Sequence, residues 1–162
     1  METKTVRTIV ITAVLAALSI VFAITPLGYI PWFGGISITI MHIPVILAAI
    51  IEGPVAGSVV GLVFGITSLI KAATAPTGPV DVLFTNPLVS VLPRLLIGIM
   101  AWLVFAAFRG KLKLVAAGFA AFAGTVTNTV FVLLMLGLTS AAKLAEIIGI
   151  DAAAVQIGRA HV

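Results

Sequence analysis

Uncharged apolar runs, broken by short stretches rich in proline, glycine and charge, set the rhythm of this chain. Five runs can be drawn, at about Thr8–Thr25, Ile36–Ile51, Val55–Ile70, Asn86–Phe108 and Leu112–Leu136. The first ends at Pro26-Leu27-Gly28, and a short apolar loop with Pro31, Trp32, Gly34 and Gly35 leads to the second. The second contains Pro44 and turns at Glu52-Gly53-Pro54; the third is rich in glycine and stops at Lys71. A loop with Pro76, Gly78, Pro79 and Asp81 precedes the fourth, and the basic turn Arg109-Gly110-Lys111-Leu112-Lys113 precedes the fifth. Proline and glycine at each boundary are what turns require. A bilayer span needs about 20 mostly apolar residues, and the alternation of a β-barrel is absent. Backbone polar groups in lipid must be satisfied internally, so these runs predict helices. More apolar runs follow the first, which therefore reads as a membrane helix and not as a cleaved signal peptide.

Composition sharpens this picture. Of 162 residues, 62% are hydrophobic and 9% charged, against roughly 25% charged in soluble domains. The expected class is an all-α integral membrane protein, a bundle of five transmembrane helices forming one domain over residues 1–156 and facing the lipid bilayer. The net charge of +4 sits mostly at helix ends and reports topology, with no nucleic-acid-binding patch. Lys4, Arg7, Arg109, Lys111 and Lys113 fall on one side, and before the last few residues only Lys71 and Lys143 fall on the other. The positive-inside rule then predicts a cytoplasmic N-terminus in the cell membrane. The stretch Thr139–Gln156 is polar and short for a span, and the final residues Ile157-Gly158-Arg159-Ala160-His161-Val162 read like translated sequencing-adapter DNA. The expectation is a reading frame cut before a sixth helix, with residues 157–162 as a non-native tail; the alternative is a genuine five-helix protein.

Polar residues inside the runs carry the candidate chemistry, because a central arginine costs roughly 2.5–3.5 kcal/mol on insertion scales. Arg94 lies eight residues into the fourth run, about 12 Å from its end. Asn86, Ser90 and Arg94 follow at i, i+4 and i+8, a single helical stripe. Asn128 lies ten residues before Leu138, about 15 Å deep, with Thr125 and Thr129 flanking it. His42 lies six residues into the second run. Three helices thus place polar groups at similar depth, open to the outside, as a solute pocket would. Competing readings stand beside each: Ser90, Thr125 and Thr129 bond their own helix or glue neighbours, His42 caps carbonyls freed by Pro44, and Arg94 snorkels outward. From its depth snorkelling is strained. In the first run Ala13, Ala16 and Ala17 make a smooth face, with Ala13 and Ala17 four apart, which lets another helix approach.

Several classes are excluded or disfavoured. No phosphate loop of the Walker type occurs, so the chain does not itself hydrolyse ATP by that route. The runs hold no Asp or Glu, against a proton-coupled pump. With no cysteine and two histidines, neither a metal site nor a disulfide is expected, and no cofactor is implied. A membrane hydrolase built from Ser90 or Ser68 with His42 is the weakest reading. A self-contained secondary carrier or channel fragment, or a structural subunit of a larger membrane complex, are the rivals to a binding subunit.

From about Lys4 to Gly149 the chain resembles the substrate-binding (S) components of energy-coupling-factor (ECF) transporters, which import vitamins. The resemblance rests on Ile38-Thr39-Ile40-Met41-His42-Ile43-Pro44-Val45, on Gly53-Pro54, and on Gly61-Leu62-Val63-Phe64-Gly65-Ile66-Thr67-Ser68-Leu69. Pro93-Arg94 and Thr125-Val126-Thr127-Asn128-Thr129 add to it, and the pantothenate-type group is the most similar. It implies six helices, no enzymatic activity, and a substrate pocket near the outer surface under a lid from Pro26–Gly35 bearing Tyr29 and Trp32. Trp32, His42, Asn86, Ser90, Arg94, Thr125 and Asn128 are then the substrate-binding candidates for a vitamin-like molecule. It also implies docking through Ala13 and Ala17 onto a transmembrane coupling subunit driven by two ATPase subunits. Two departures stand out: Glu52 occupies a position before Gly-Pro that is usually apolar, and the sixth helix is missing.

Overall fold

The structure, a computed structural model, describes residues 2–25, 28–31, 37–76, 81–110 and 112–159. The chain forms helix α1 (Glu2–Ile24), strands β1 (Tyr29–Pro31) and β2 (Ser37–Thr39), then helices α2 (His42–Glu52) and α3 (Pro54–Thr74). A 3-10 turn at Asp81–Thr85 precedes the short α4 (Pro87–Ser90), α5 (Leu92–Phe108) and α6 (Lys113–Arg159). Apart from a small antiparallel ribbon, the fold is helical. Among the described residues four stretches are long and apolar enough to cross a bilayer: Thr3–Ile24, Pro54–Thr74, Pro87–Phe108 and Lys113–Ser140.

The second expected run is corrected by the structure. Its helix has 11 residues, about 16 Å of rise against roughly 30 Å of hydrocarbon. Pro44 is the reason. It has no N–H to donate to the Ile40 carbonyl and is tolerated best in the first turn of a helix, and that carbonyl instead accepts from Ile43 N–H at 3.1 Å. The alternating Ser37-Ile38-Thr39, with β-branched Ile38 and Thr39, pairs with the residues after α1, in the register Tyr29↔Thr39, Ile30↔Ile38, Pro31↔Ser37. At the other end α6 continues past the fifth expected run. Ser140 breaks its geometry (φ −139°, ψ 19°), and the polar stretch beyond is helical to Arg159.

The packing is inside-out relative to a soluble protein. Small residues line the contacts, with Ala48, Ala49, Ala101, Ala116 and Ala120 fully buried. Large apolar side chains such as Val55, Leu114 and Phe122 point away from the bundle. A lipid surrounding inverts the usual rule in this way, because close helix approach and not water exclusion drives association. A close seam joins α3 and α5. Gly57 faces Gly98, Gly61 faces the Arg94 backbone, and Gly65 faces Val91, where an added methyl would lie 2.8 Å from the Val91 Cα. Spacing of four residues keeps these three glycines on one ridge.

The two ends of the bundle differ. The ribbon, the start of α2, the end of α3, the 3-10 turn and α4 share one end, here the ribbon end. At the opposite end Gly53, the positive-φ residue between α2 and α3 (φ 105°), turns the chain. Beside it Glu52 is inside: Thr8 Oγ1 donates to its Oε2 at 2.6 Å, and Arg7 Nε lies 3.4 Å from its Oε1. The unusual carboxylate of the sequence therefore ties the start of α1 to the α2–α3 turn.

Candidate functional site

A broken helix presents Arg94. Asn86 caps α4, its Oδ1 accepting from Leu88 N–H at 3.0 Å, and Pro87 follows at the first helical position. The helix is interrupted at Val91. Pro93 has no N–H for the Val89 carbonyl four residues back, and Arg94 Nη1 donates to that oxygen instead, at 2.6 Å. The guanidinium carbon lies 5.4 Å from the centroid of the Phe64 ring and 5.2 Å from that of Phe84. Ser90 Oγ donates to the Phe84 carbonyl, which holds the 3-10 turn against α4. The side chain runs back toward the ribbon end, yet only 6% of Arg94 is exposed, so it stays within the bundle and does not snorkel to water.

Three of the sequence candidates share one level. Gly124 of α6 meets Ile46 of α2 and Ile97 of α5, where an added methyl would stand 2.9 Å from Ile46 Cγ1 and 3.3 Å from Ile97 Cγ2. His42 precedes Ile46 by four residues, Arg94 precedes Ile97 by three, and Asn128 follows Gly124 by four. All three are therefore displaced toward the ribbon end by one turn, about 4.5–6 Å. Asn128 Oδ1 is buried without a hydrogen-bond partner among the described residues, a state that costs free energy unless something else supplies a donor.

The other candidates are placed differently. Thr125 and Thr129 are exposed and bond their own helix, to the carbonyls of Ala121 (2.9 Å) and Thr125 (3.1 Å). Ser90 and Asn86 are engaged with backbone, as described above. Trp32 and most of the lid segment lie outside the described residues, and Tyr29 is placed by its backbone in β1. Sequence reasoning missed Thr127, which is 7% exposed, and the Phe64 and Phe84 pair. The stripe Ala116–Ala120–Gly124 continues to Thr127 at helical spacing and is the signal that could have pointed to it.

On α1, Ala13 and Ala17 are exposed, while Ala16 packs toward the core with Leu15 and Phe22. Val10, Val14 and Leu18 flank the alanines on the outside of the bundle. A separate apolar groove of about 360 Å³, lined among others by Pro54, Ser58, Leu62 and Leu95, runs along α3 and α5 and is lined by none of His42, Arg94 and Asn128.

Residues 7–159 match the family model described as ECF transporter, substrate-specific component. The chain is 38% identical over 109 residues to the pantothenic acid transporter PanT of Lactococcus lactis subsp. cremoris, an alignment covering 59% of this chain and 54% of that protein. It is 29% identical over 144 residues to the pantothenate transporter PanT of Leuconostoc mesenteroides subsp. mesenteroides, covering 83% of this chain and 70% of that protein. The chain thus spans about half the length of the Lactococcus protein that it matches.

Proposed function

This chain belongs to the substrate-specific components of ECF transporters, multi-pass membrane proteins of transport and not enzymes, and on that premise we propose that it captures a pantothenate-like carboxylate at the ribbon end of the bundle. The observation that carries the reading is the shared level of His42, Arg94 and Asn128 on three helices, one turn from the Gly124 layer. A guanidinium in this position, with little water about it, pairs with a carboxylate about twice as strongly as neutral groups pair with one another. Asn128 Oδ1, buried and without a hydrogen-bond partner among the described residues, is suited to accept from a hydroxyl or amide N–H of the same molecule. The names of both relatives, pantothenate transporters, support this substrate class.

In this reading the ribbon end faces outward and the N-terminus is cytoplasmic, in keeping with Lys4, Arg7, Arg109 and Lys113 at the opposite end. The segment Pro26–Gly35, whose sequence carries Tyr29 and Trp32, is the lid that this reading assigns. The exposed Ala13 and Ala17 face receives a transmembrane coupling subunit, and two ATPase subunits supply the energy that this chain has no phosphate loop to obtain.

Calorimetry on the detergent-purified protein with pantothenate and a panel of other vitamins tests the substrate. Arg94→Ala is expected to weaken pantothenate binding by on the order of 2–5 kcal/mol, and Asn128→Ala by roughly 1–3 kcal/mol. Wild-type affinity in Arg94→Ala would mean that Arg94 has a packing role, satisfying the Val89 carbonyl and lying against Phe64 and Phe84, and does not bind substrate.

A further inference from the structure

We infer that Phe64 and Phe84 are positioning residues that pack on the Arg94 guanidinium and so make the site selective for a carboxylate over its neutral isosteres. The inference rests on the binding role of Arg94 proposed above and goes beyond it. Both ring centroids lie within 5.4 Å of the guanidinium carbon, inside the roughly 6 Å range of cation–π attraction. The rings come from different elements: Phe64 from the centre of α3, where it is 1% exposed, and Phe84 from the 3-10 turn. Each is held by something other than Arg94. Gly61 and Gly65 bring α5 against the helix that carries Phe64, and the Ser90 hydroxyl bonds the Phe84 carbonyl.

Arginine has several rotatable bonds and in open surroundings samples many rotamers. Here Val89 O takes one in-plane donor, and the two rings attract the cation through the negative faces of their π systems. The guanidinium is thereby ordered before a ligand arrives, and hydrogen bonding remains confined to its own plane. That geometry suits a planar carboxylate, which can accept two parallel N–H bonds. A hydroxyl or amide of similar size gains much less from it. An apparent Kd rises in proportion as the binding-competent fraction falls. Losing one ring and letting nine-tenths of the population leave the competent rotamer therefore costs about tenfold in carboxylate affinity.

Phe84 is the residue to change, since it is half-buried at the edge of the Leu83, Val89 and Leu136 cluster, whereas Phe64 is fully enclosed. The test compares wild type, Phe84→Leu and Phe84→Trp as full-length chains, with pantothenate and its primary-alcohol analogue as probes in calorimetry. Beside it, modification of Arg94 by phenylglyoxal is followed by mass spectrometry without ligand. The expected result is that Phe84→Leu weakens pantothenate about tenfold and leaves the alcohol nearly unchanged. It should also speed Arg94 modification, and Phe84→Trp should restore all three readouts. Equal weakening of both probes would make the ring a wall of the pocket and overturn the inference, as would an unchanged pantothenate affinity. Should wild type bind neither probe, the substrate proposal fails on its own; an unchanged rate of Arg94 modification in Phe84→Leu still overturns the positioning role.

Discussion

Adding one methyl group at Gly61 should separate packing energy from helix propensity in this bundle. The Cβ of Gly61→Ala would fall well inside any permitted non-bonded distance from the Arg94 carbonyl oxygen, with Leu95 N at 3.4 Å. The obstacle is backbone of a neighbouring helix, so no rotamer change can relieve it. Carbon–oxygen contacts settle near 3.3–3.6 Å, so α3 and α5 must part by about 1 Å at this level. Alanine gains up to about 1 kcal/mol over glycine in helix propensity, whereas overpacking a close contact costs typically 1–3 kcal/mol. The clash also opens the seam beside Phe64 and Arg94. The expected net is a loss of about 1–2 kcal/mol. Gly118→Ala is the control, since nothing lies within 4 Å of its Cβ and propensity alone acts there. Equilibrium unfolding in mixed detergent–SDS micelles measures both. Gly61→Ala as stable as Gly118→Ala would refute the reasoning, because the α3–α5 seam would then have room to spare.

Other expectations follow from separate features. Glu52→Ala should cost about 1–2 kcal/mol by removing the acceptor of Thr8, whereas Arg7→Gln should cost under about 1 kcal/mol, since Arg7 is 67% exposed; the same unfolding assay ranks them, and an equal loss for both would assign the stabilisation to the ion pair. Tryptophan at both Ala13 and Ala17 should abolish co-purification with a coupling subunit while pantothenate affinity holds, and recovery of the intact complex would remove these alanines from the docking surface. Cysteine at position 78 should react with an impermeant maleimide in intact cells and cysteine at 111 should not; the reverse pattern would invert the orientation.

The apolar runs, their approximate ends and the basic residues beside them follow from local composition. A bilayer imposes length and charge rules that each segment obeys by itself. The proline effects were partly legible too. Pro44 and Pro93 announce missing N–H groups wherever they stand, although the start of α2 at His42 and the pairing of Ser37–Thr39 with Tyr29–Pro31 needed the ribbon to appear. What tertiary structure alone decided is which way each helix faces. In a soluble helix the polar side marks the outside, but lipid and bundle interior are both apolar, so the period of hydrophobicity carries little orientation. Thr125, Thr127 and Thr129 look equivalent in sequence, yet only Thr127 turns inward. Glu52 reads as a turn residue at an unusual position until α1 arrives with Thr8 and Arg7 to enclose it. Arg94 shows its cost in the sequence and nothing of what offsets it. The Val89 carbonyl is released by a break in its own helix, and Phe64 and Phe84 come from elements that only the packed bundle brings to the same place.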